Sequence, residues 1–238
     1  MSYRDDWERL ARLEPHFAVL TQPRFLSSHL TPAAVEDFFA SGDADVHAIF
    51  DDIAAYQGHE FRPRGALDFG CGVGRLTRAL AARCPSVTGV DVAPTMLRLA
   101  RESCPEATFL DRLPDRKFDL ICSLIVFQHI PTRRGEAILE ELLARLNPGG
   151  VAVLQFTLRR PGGAIRRFAR RLRAAVPLLH RTIQWIQRDP QRLPYMQINE
   201  YHLPRLLDAI RAAGCREPVQ RATNHGGIPG VILITEKM

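Results

Sequence analysis

The chain has 238 residues, of which 46% are hydrophobic and 24% are charged, a composition typical of a folded protein that buries its own core. No apolar run approaches the roughly 18 to 20 residues that a membrane-spanning helix needs, and the charged start Met1–Glu14 lacks the apolar stretch of a secretory signal. The five cysteines form no CxxC pair, which argues against a disulfide framework or a zinc ribbon. We therefore expect a reduced, cytoplasmic protein.

The net charge of +6 is unevenly distributed. Residues 158–192 hold ten arginines and one aspartate, a local charge of +9, which leaves −3 for the rest of the chain. Residues 1–60 alone hold eleven acids and four arginines, a net charge of −7. The basic total therefore marks one segment. Because aromatic residues are not interleaved with its arginines, we expect no nucleic-acid partner.

Helices and strands follow in a regular order. The stretch before residue 62 has the pattern of short helices, with N-cap signals at Thr31-Pro32 and Ser41. From residue 65 onward, short apolar strands alternate with helices, which favours a parallel α/β sheet buried on both faces. The predicted strands are 66–70, 87–91, 107–110, 118–124 and 151–157, and the helices between them are 75–83, 94–102 and 133–146, the last ended by a turn at Asn147–Gly150.

The stretch after residue 157 interrupts this alternation with a basic helical insert. A helix follows at about 199–213, and then two apolar segments at 217–222 and 230–235. Only a short loop joins these two segments, so they are predicted to form an antiparallel pair at one end of the sheet.

A glycine-rich turn between the first strand and its helix carries the clearest chemical signal. In LDFGCGVGRLT, glycines allow close approach of a ligand, and the free N–H groups of the helix start face it. The dinucleotide fingerprint G-x-G-x-x-G would require glycine at position 75, which is Arg75. Asp91, at the end of the second strand, is placed to accept hydrogen bonds from the two hydroxyls of a ribose. Together these features indicate a nucleoside-containing cofactor.

At this point the sequence resembles the class I S-adenosylmethionine-dependent methyltransferases, well over residues 62–157 and loosely over 199–238. The matching motifs are LDFGCGVGRLT, GVDVAPTML, FDLICSLIVFQHIP and LARLNPGGVAVL, in the family's order. The resemblance implies a doubly wound, mostly parallel seven-stranded Rossmann-like sheet with an antiparallel last strand, an N-terminal helical cover and a helical insert after strand five. It implies a single domain, 1–238, made of a cover (1–61), a cofactor-binding core (62–157), the insert (158–198) and a C-terminal helix and strand pair (199–238).

The resemblance also implies the cofactor, S-adenosyl-L-methionine, and the residues around it. Asp68 would meet the ammonium group, Asp91 the ribose and Asp111 the adenine amino group. The other expected cofactor residues are Gly70, Gly72 and Gly74 at the methionine part, Val92 and Met96 at the adenine, and Cys71, Ser123 and Gln128 nearby. Structural roles stay open for Cys71 as a small filler, for Met96 in packing and for Asp68 as a cap of the turn.

Methyl transfer is an in-line displacement, and a base is needed only if the acceptor still carries its proton. His129 follows the fourth strand, where residues point into the ligand crevice of such folds, and is the first candidate base. His225, in the loop between the last two strands, is the second. Tyr195, Tyr201 and His202 are candidate substrate contacts that close the pocket, with ordinary packing as the alternative. The alternative for His129 is to cap the turn before Pro131 or to line the cofactor pocket, and the alternative for His225 is a simple tight turn.

The sequence also lacks patterns that would indicate other acceptors. The end of strand four has Ser123–Val126 where base-amino methyltransferases carry an Asp/Asn-Pro-Pro-aromatic run, and no carboxylates stand there to hold a metal. We expect metal-independent methylation of a small or medium polar metabolite, at a hydroxyl of a saccharide or secondary metabolite. The alternatives are N- or carboxyl methylation, a catalytically silent cofactor-binding module, and a nicotinamide-dependent oxidoreductase.

The insert contains one apolar stripe at helical spacing within 163–181, with arginines around the rest of its circumference. We favour a lid whose apolar stripe packs on the core and whose arginines are solvated or receive an acidic substrate. Contact with an anionic membrane surface is the alternative. The sequence does not indicate an oligomeric state.

Overall fold

The computed structural model describes residues 3–158, 193, 196–225 and 227–238. Its helices are α1 (Tyr3–Leu13), α2 (Pro15–Val19), α3 (Pro32–Gln57), α4 (Arg75–Ala81), α5 (Pro94–Ser103), α6 (Thr132–Ala144) and α7 (Leu203–Ala212), with 3₁₀ turns at Pro23–Phe25, Ser27–His29 and Phe127–His129. The strands are β1 (Gly65–Phe69), β2 (Ser86–Val90), β3 (Thr108–Leu110), β4 (Phe118–Ser123), β5 (Leu146–Thr157), β6 (Val219–His225) and β7 (Ile228–Glu236). None of the helices in this described part combines the length and apolar character needed to span a bilayer.

The strands form one seven-stranded sheet in the order β3-β2-β1-β4-β5-β7-β6. The first five strands are parallel, and β7 runs antiparallel to both β5 and β6. The predicted fold class is therefore confirmed. The turn predicted at Asn147–Gly150 is wrong in detail, because these residues belong to β5, where the pairing with β4 shifts register between Phe118 and Leu120.

The stretch before residue 62 contains the expected short helices α1 and α2 and, after them, one long helix, α3. The Thr31 hydroxyl caps α3 by accepting from the N–H of Ala34 at 3.2 Å, and Gly58 ends the helix in the left-handed conformation. Ser41, expected to be an N-cap, lies inside α3. Its hydroxyl donates to the carbonyl of Phe38 at 2.6 Å, a bond that a serine can make without ending a helix.

Helices cover both faces of the sheet. Val46, Ile49 and Ile53 of α3 share one core with α4, while Leu139 of α6 and Leu206 of α7 share the other. The chain passes from β3 at one edge to β4 near the centre through residues 111–117 alone, without a helix. Because β1, β2 and β4 are parallel, their carboxyl ends lie at the same edge of the sheet, where α1 and α2 lie close to α5.

A buried carboxyl lies in the middle of β1. Asp68 is 1% exposed, and the hydroxyl of Thr77 donates to its Oδ2 at 2.6 Å. Burial raises the pKa of Asp68 to about 6, although the Thr77 hydrogen bond and the charge of Arg75 work in the opposite direction. Because the folded state prefers the protonated form, the stabilising contribution of Asp68 is lost as the pH rises through about 6.

Asp68→Asn should therefore stabilise the fold in alkaline solution. The amide keeps an acceptor for Thr77 and cannot ionise, so the free energy of unfolding should rise by about 2 kcal/mol at about pH 8 and change little at about pH 4. Urea unfolding at both pH values measures this. Asp119→Asn is the control, and it should lower the free energy of unfolding at the higher pH. Hydrogen bonds from Asn147 and from the N–H groups of Arg64 and Gly65 outweigh burial and lower the pKa of Asp119, so the folded state prefers its ionised form. Destabilisation of Asp68→Asn at the higher pH would contradict the prediction.

Candidate active site

A cleft of about 430 Å³ opens at the carboxyl ends of β1, β2 and β4. Trp7 of α1 and Val19 of α2 form one wall, and α6 with its C-cap residue forms another, through a row of residues from Arg134 to Arg145. The position agrees with the rule that ligands of open α/β sheets bind beyond the carboxyl ends of the strands, where the strand order reverses. The N-terminal segment thus contributes directly to the cleft.

The turn between β1 and α4 forms the floor of this cleft. Its glycines at 70 and 72 have φ values of 79° and 53°, which side-chain-bearing residues rarely adopt. A Cβ on Gly70 would overlap the side chain of Val126, and one on Gly72 would come within 2.7 Å of Val19. The N–H groups of Gly70 and Cys71 donate to the carbonyl of Val90 at 2.7 and 3.0 Å, which holds the turn against β2. A ligand can therefore approach the backbone closely here.

Asp91 follows β2 and faces the same cleft. Its Oδ2 accepts from the N–H of Gly72 at 3.0 Å and its Oδ1 from the N–H of Ala93 at 2.9 Å. Burial raises the pKa of Asp91, while these backbone N–H groups oppose the rise. Each oxygen keeps a further lone pair for a hydroxyl donor, and Val92 and Met96 supply apolar surface beside it. This combination fits a ribose with an adjoining base, so the residues present fit an adenosine-containing cofactor.

Among the other expected cofactor residues, only Asp111 lines the cleft. Its side chain is 53% exposed and lies 3.5 Å from Arg4 of α1. The remaining five lie behind the wall and support it. Asp68, Cys71 and Ser123 are buried, with Ser123 donating to the carbonyl of Phe69 at 2.8 Å. Gly74 is the N-cap residue of α4, and the Gln128 amide contacts His129.

His129 lines the cleft but is 7% exposed, and both of its ring nitrogens are engaged. Nδ1 lies 2.9 Å from the carbonyl of Gln197, to which it donates, and Nε2 lies 3.0 Å from the side-chain amide nitrogen of Gln128, from which it accepts. Burial lowers the pKa of His129 to about 4, although the Gln197 carbonyl works the other way. The ring of Trp7 packs edge-on against it at 5.0 Å. The imidazole is therefore neutral, and its lone pair is already used.

Two of the expected substrate contacts lie elsewhere in the structure. Tyr201 is fully buried, and its hydroxyl lies within 3.0 Å of the carbonyls of Phe127 and Ile130. A Cβ on Gly135 of α6 would overlap that hydroxyl, so Tyr201 is a core residue of the helix layer and the expected pocket contact is wrong. His202 is exposed at the N-cap of α7 and is not among the described residues that line the cleft.

The remaining predictions concern parts of the chain that the structure does not describe. Tyr195 and the basic helix within 163–181 lie outside the described residues. The backbone of His225 ends β6, and its side chain is also outside the description. These expectations stay predictions.

Sequence reasoning missed a strained turn at the end of β4. Ile125 lines the cleft with φ of 63°, an unusual value for a β-branched residue. Its N–H donates to Oε1 of Gln155 on β5 at 3.0 Å, and Nε2 of Gln155 lies 3.3 Å from the hydroxyl of Thr223 on β6. The apolar run Leu124–Val126 gave no local signal of this conformation, which depends on side chains of two other strands.

Sequence comparisons give the family of the core. A family model described as a methyltransferase domain matches residues 66–150. A trans-aconitate 2-methyltransferase of Escherichia coli O139:H28 is 28% identical over 171 residues, which cover 68% of this chain and 60% of that protein. A carboxy-S-adenosyl-L-methionine synthase of Chromohalobacter salexigens is 37% identical over 106 residues, 37% of each chain. The match thus spans from about a third to three fifths of the length of these curated relatives.

Comparison with solved structures gives the same fold. Magnesium protoporphyrin IX methyltransferase from Synechocystis PCC 6803, solved with bound S-adenosylmethionine, superposes with a TM-score of 0.63 at 14% identity, covering 100% of this chain and 98% of that one. The sheet order, the glycine turn and the acid after β2 agree with the family match over residues 66–150. The chain therefore has the fold of the class I S-adenosylmethionine-dependent methyltransferases, and its residues 66–150 match a methyltransferase domain.

Proposed function

We propose that the chain transfers the methyl group of S-adenosylmethionine to a carboxylate oxygen of a small acid. The observation that carries this proposal is the state of His129, which is neutral, has a pKa lowered to about 4 and uses both ring nitrogens in hydrogen bonds. Among the described lining residues it is the only imidazole, and no lysine, cysteine or tyrosine lines the cleft there. An acceptor that needs no base fits this wall best.

A carboxylate is already deprotonated at neutral pH, so its oxygen can attack without losing a proton. When bound, S-adenosylmethionine supplies an electrophilic methyl group whose bond to the sulfonium breaks, with the electron pair returning to sulfur, as the new oxygen–carbon bond forms. The protein then has to hold the acceptor in line and exclude water. Trp7, Val19 and His129 form an apolar wall suited to that purpose.

The charges of the cleft support an anionic acceptor. Arg134, in the first turn of α6, is exposed and lines the cleft, and within the described part of the chain no acid or hydrogen-bond acceptor pairs with its guanidinium. Arg145 at the far end of the same row contacts Glu141 and the carbonyl of Pro114. Arg134 is thus available to bind a second carboxylate of the acceptor, and a guanidinium suits that partner.

The curated relatives support the same acceptor class. Several are named as trans-aconitate 2-methyltransferases, from Methylobacterium radiotolerans at 39% identity over 100 residues as well as from Escherichia coli. The sequence had favoured a hydroxyl acceptor with His129 as its base. The contacts of His129 argue against that role and favour the carboxyl alternative.

An acceptor screen tests the proposed function. Formation of S-adenosylhomocysteine should be detected with small di- and tricarboxylic acids, trans-aconitate among them, and be at background with sugars and phenols. The acid reaction should have a flat pH profile of kcat/KM above about pH 6, because the carboxyl groups are ionised throughout that range. Turnover confined to hydroxyl acceptors, with a rate that climbs with pH, would contradict the proposal.

His129→Asn gives a second test. Asparagine keeps a donor for the Gln197 carbonyl but has no ring lone pair, so kcat on a carboxylate probe should fall by less than about tenfold, compared with the roughly 10²- to 10⁴-fold cost of losing a general base. Single-turnover kinetics measure the step, and a thermal melt shows whether the variant remains folded. A loss of about a thousandfold in a folded variant would make His129 the base after all.

Arg134→Ala should weaken acceptor binding. We expect KM for a tricarboxylic acid to rise about tenfold with kcat nearly unchanged, since a contact made equally in ground and transition states affects mainly KM. Arg133→Ala is the matched control, because Arg133 is an exposed neighbour on α6 that does not line the cleft. Equal effects of the two substitutions would indicate general surface charge and not a specific contact.

A further inference from the structure

Arg75 is a buried cation at the wall of the cleft. It is the first residue of α4, directly after the glycine turn, and its side chain is 3% exposed. Its Nη1 lies 2.6 Å from Oδ2 of Asp45 and 3.2 Å from the hydroxyl of Ser41, both on α3. Asp45 is 45% exposed, so the pair joins a buried guanidinium to a partly solvated carboxylate.

The approach of α3 fixes the position of this guanidinium. Gly42 lies directly against Arg75, and a Cβ there would overlap the carbonyl oxygen of Arg75 and press on its Cγ at 3.0 Å. Ser41 is itself oriented by donating to the carbonyl of Phe38. Arg75 is therefore held on the α3 side before any ligand binds, which reduces the entropy lost on binding.

One buried donor of Arg75 has no partner in the described part of the chain. Its Nε is buried, and no acceptor in the described part of the chain lies within hydrogen-bond distance. A buried donor without a partner is costly, more so on a charged group, and such atoms in native structures call for an explanation. Because Arg75 lines the cleft, the missing acceptor is expected to come from a bound molecule.

The position of Arg75 indicates which part of that molecule it meets. Arg75 lies on the α3 side of the glycine turn, whereas Asp91, which fits a ribose, lies on the α5 side beside Met96. The cofactor of the family carries a nucleoside at one end and an α-amino acid at the other. With the ribose at Asp91, the amino-acid end extends across the turn to the side of Arg75.

We infer that Arg75 binds the α-carboxylate of the amino-acid portion of the cofactor through Nε–H and its remaining free N–H groups. The planar fork of a guanidinium matches a carboxylate. The inference rests on the cofactor part of the proposed function and is independent of the acceptor. In the sequence, Arg75 served only to exclude the dinucleotide fingerprint. The inference assigns it a role in binding the cofactor.

Calorimetric titration with two probes tests this assignment. S-adenosylhomocysteine has the carboxylate, and 5′-deoxy-5′-(3-aminopropylthio)adenosine is the same molecule without it. In Arg75→Met, which keeps the aliphatic packing against Gly42, the Kd of S-adenosylhomocysteine should rise about 10- to 100-fold, the effect of losing hydrogen bonds between charged groups. The Kd of the decarboxylated probe should change by less than about threefold, the size of an ordinary surface effect.

Arg78→Met is the matched control, since Arg78 lies on the next turn of α4, is 41% exposed and packs over the ring of Phe39 at 4.1 Å. Its affinity for both probes should equal that of the unmodified protein. Arg75→Lys should recover only part of the loss, because lysine keeps the charge without the planar pair of donors. Thermal melts confirm that the variants are folded.

Three results would overturn the inference. Equal weakening of both probes would make Arg75 a purely structural residue. Unchanged binding of both probes, together with a raised KM for a carboxylic acid acceptor, would assign its free donors to the acceptor. Failure of the unmodified protein to bind either probe would contradict the cofactor part of the proposed function. That result differs from one in which both probes bind but the variant no longer distinguishes the probe with the carboxylate from the probe without it.

Discussion

The turn after β1 has no room for side chains, and the rest of the site is arranged around this constraint. Val126 from the end of β4 packs where a Cβ of Gly70 would lie, and Val19 of the cover packs against Gly72. The N–H of Gly72 in turn holds Asp91. Three segments far apart in sequence thus converge on one short stretch of bare backbone, and a ligand placed there contacts all three.

The cleft separates two kinds of electrostatic group. Charged groups that face it, such as Asp91 and Arg134, are suited to binding through hydrogen bonds and ion pairs. His129, in the 3₁₀ turn that follows β4, is kept uncharged by burial and by its two hydrogen bonds. Such a site suits the proposed carboxylate acceptor, whose methylation requires position and the exclusion of water and no proton transfer.

Local patterns predicted the parts of the molecule that depend on local physics. The alternation of strands and helices gave the sheet, and the glycine turn with Asp91 gave the floor of the cleft, because turn chemistry and strand ends are encoded within a few residues. Ser41 was wrongly predicted to be a helix cap. A serine hydroxyl can accept from an N–H group at a helix start or donate to a carbonyl inside a helix, and only the packing of α3 determines which of the two bonds forms.

Contacts between distant residues explain the errors at the site. The pKa of His129 depends on burial and on Gln197, 68 positions along the chain. Tyr201 is withdrawn from the pocket because Gly135 leaves space for its hydroxyl beneath α6. A single sequence does not show which distant residues are in contact. The candidate site residues could therefore be identified from it, but their protonation state and their exposure could not.

The absence of a side chain at Gly230 has an effect well beyond β7. A Cβ there would come within 2.6 Å of the Thr223 hydroxyl, so the glycine opens a passage across β7 through which Gln155 reaches Thr223. At its other end Gln155 holds the N–H of Ile125. The β6–β7 hairpin and the strained wall of the cleft are thereby joined by two hydrogen bonds through one amide, a side-chain connection in addition to the backbone ladder of the sheet.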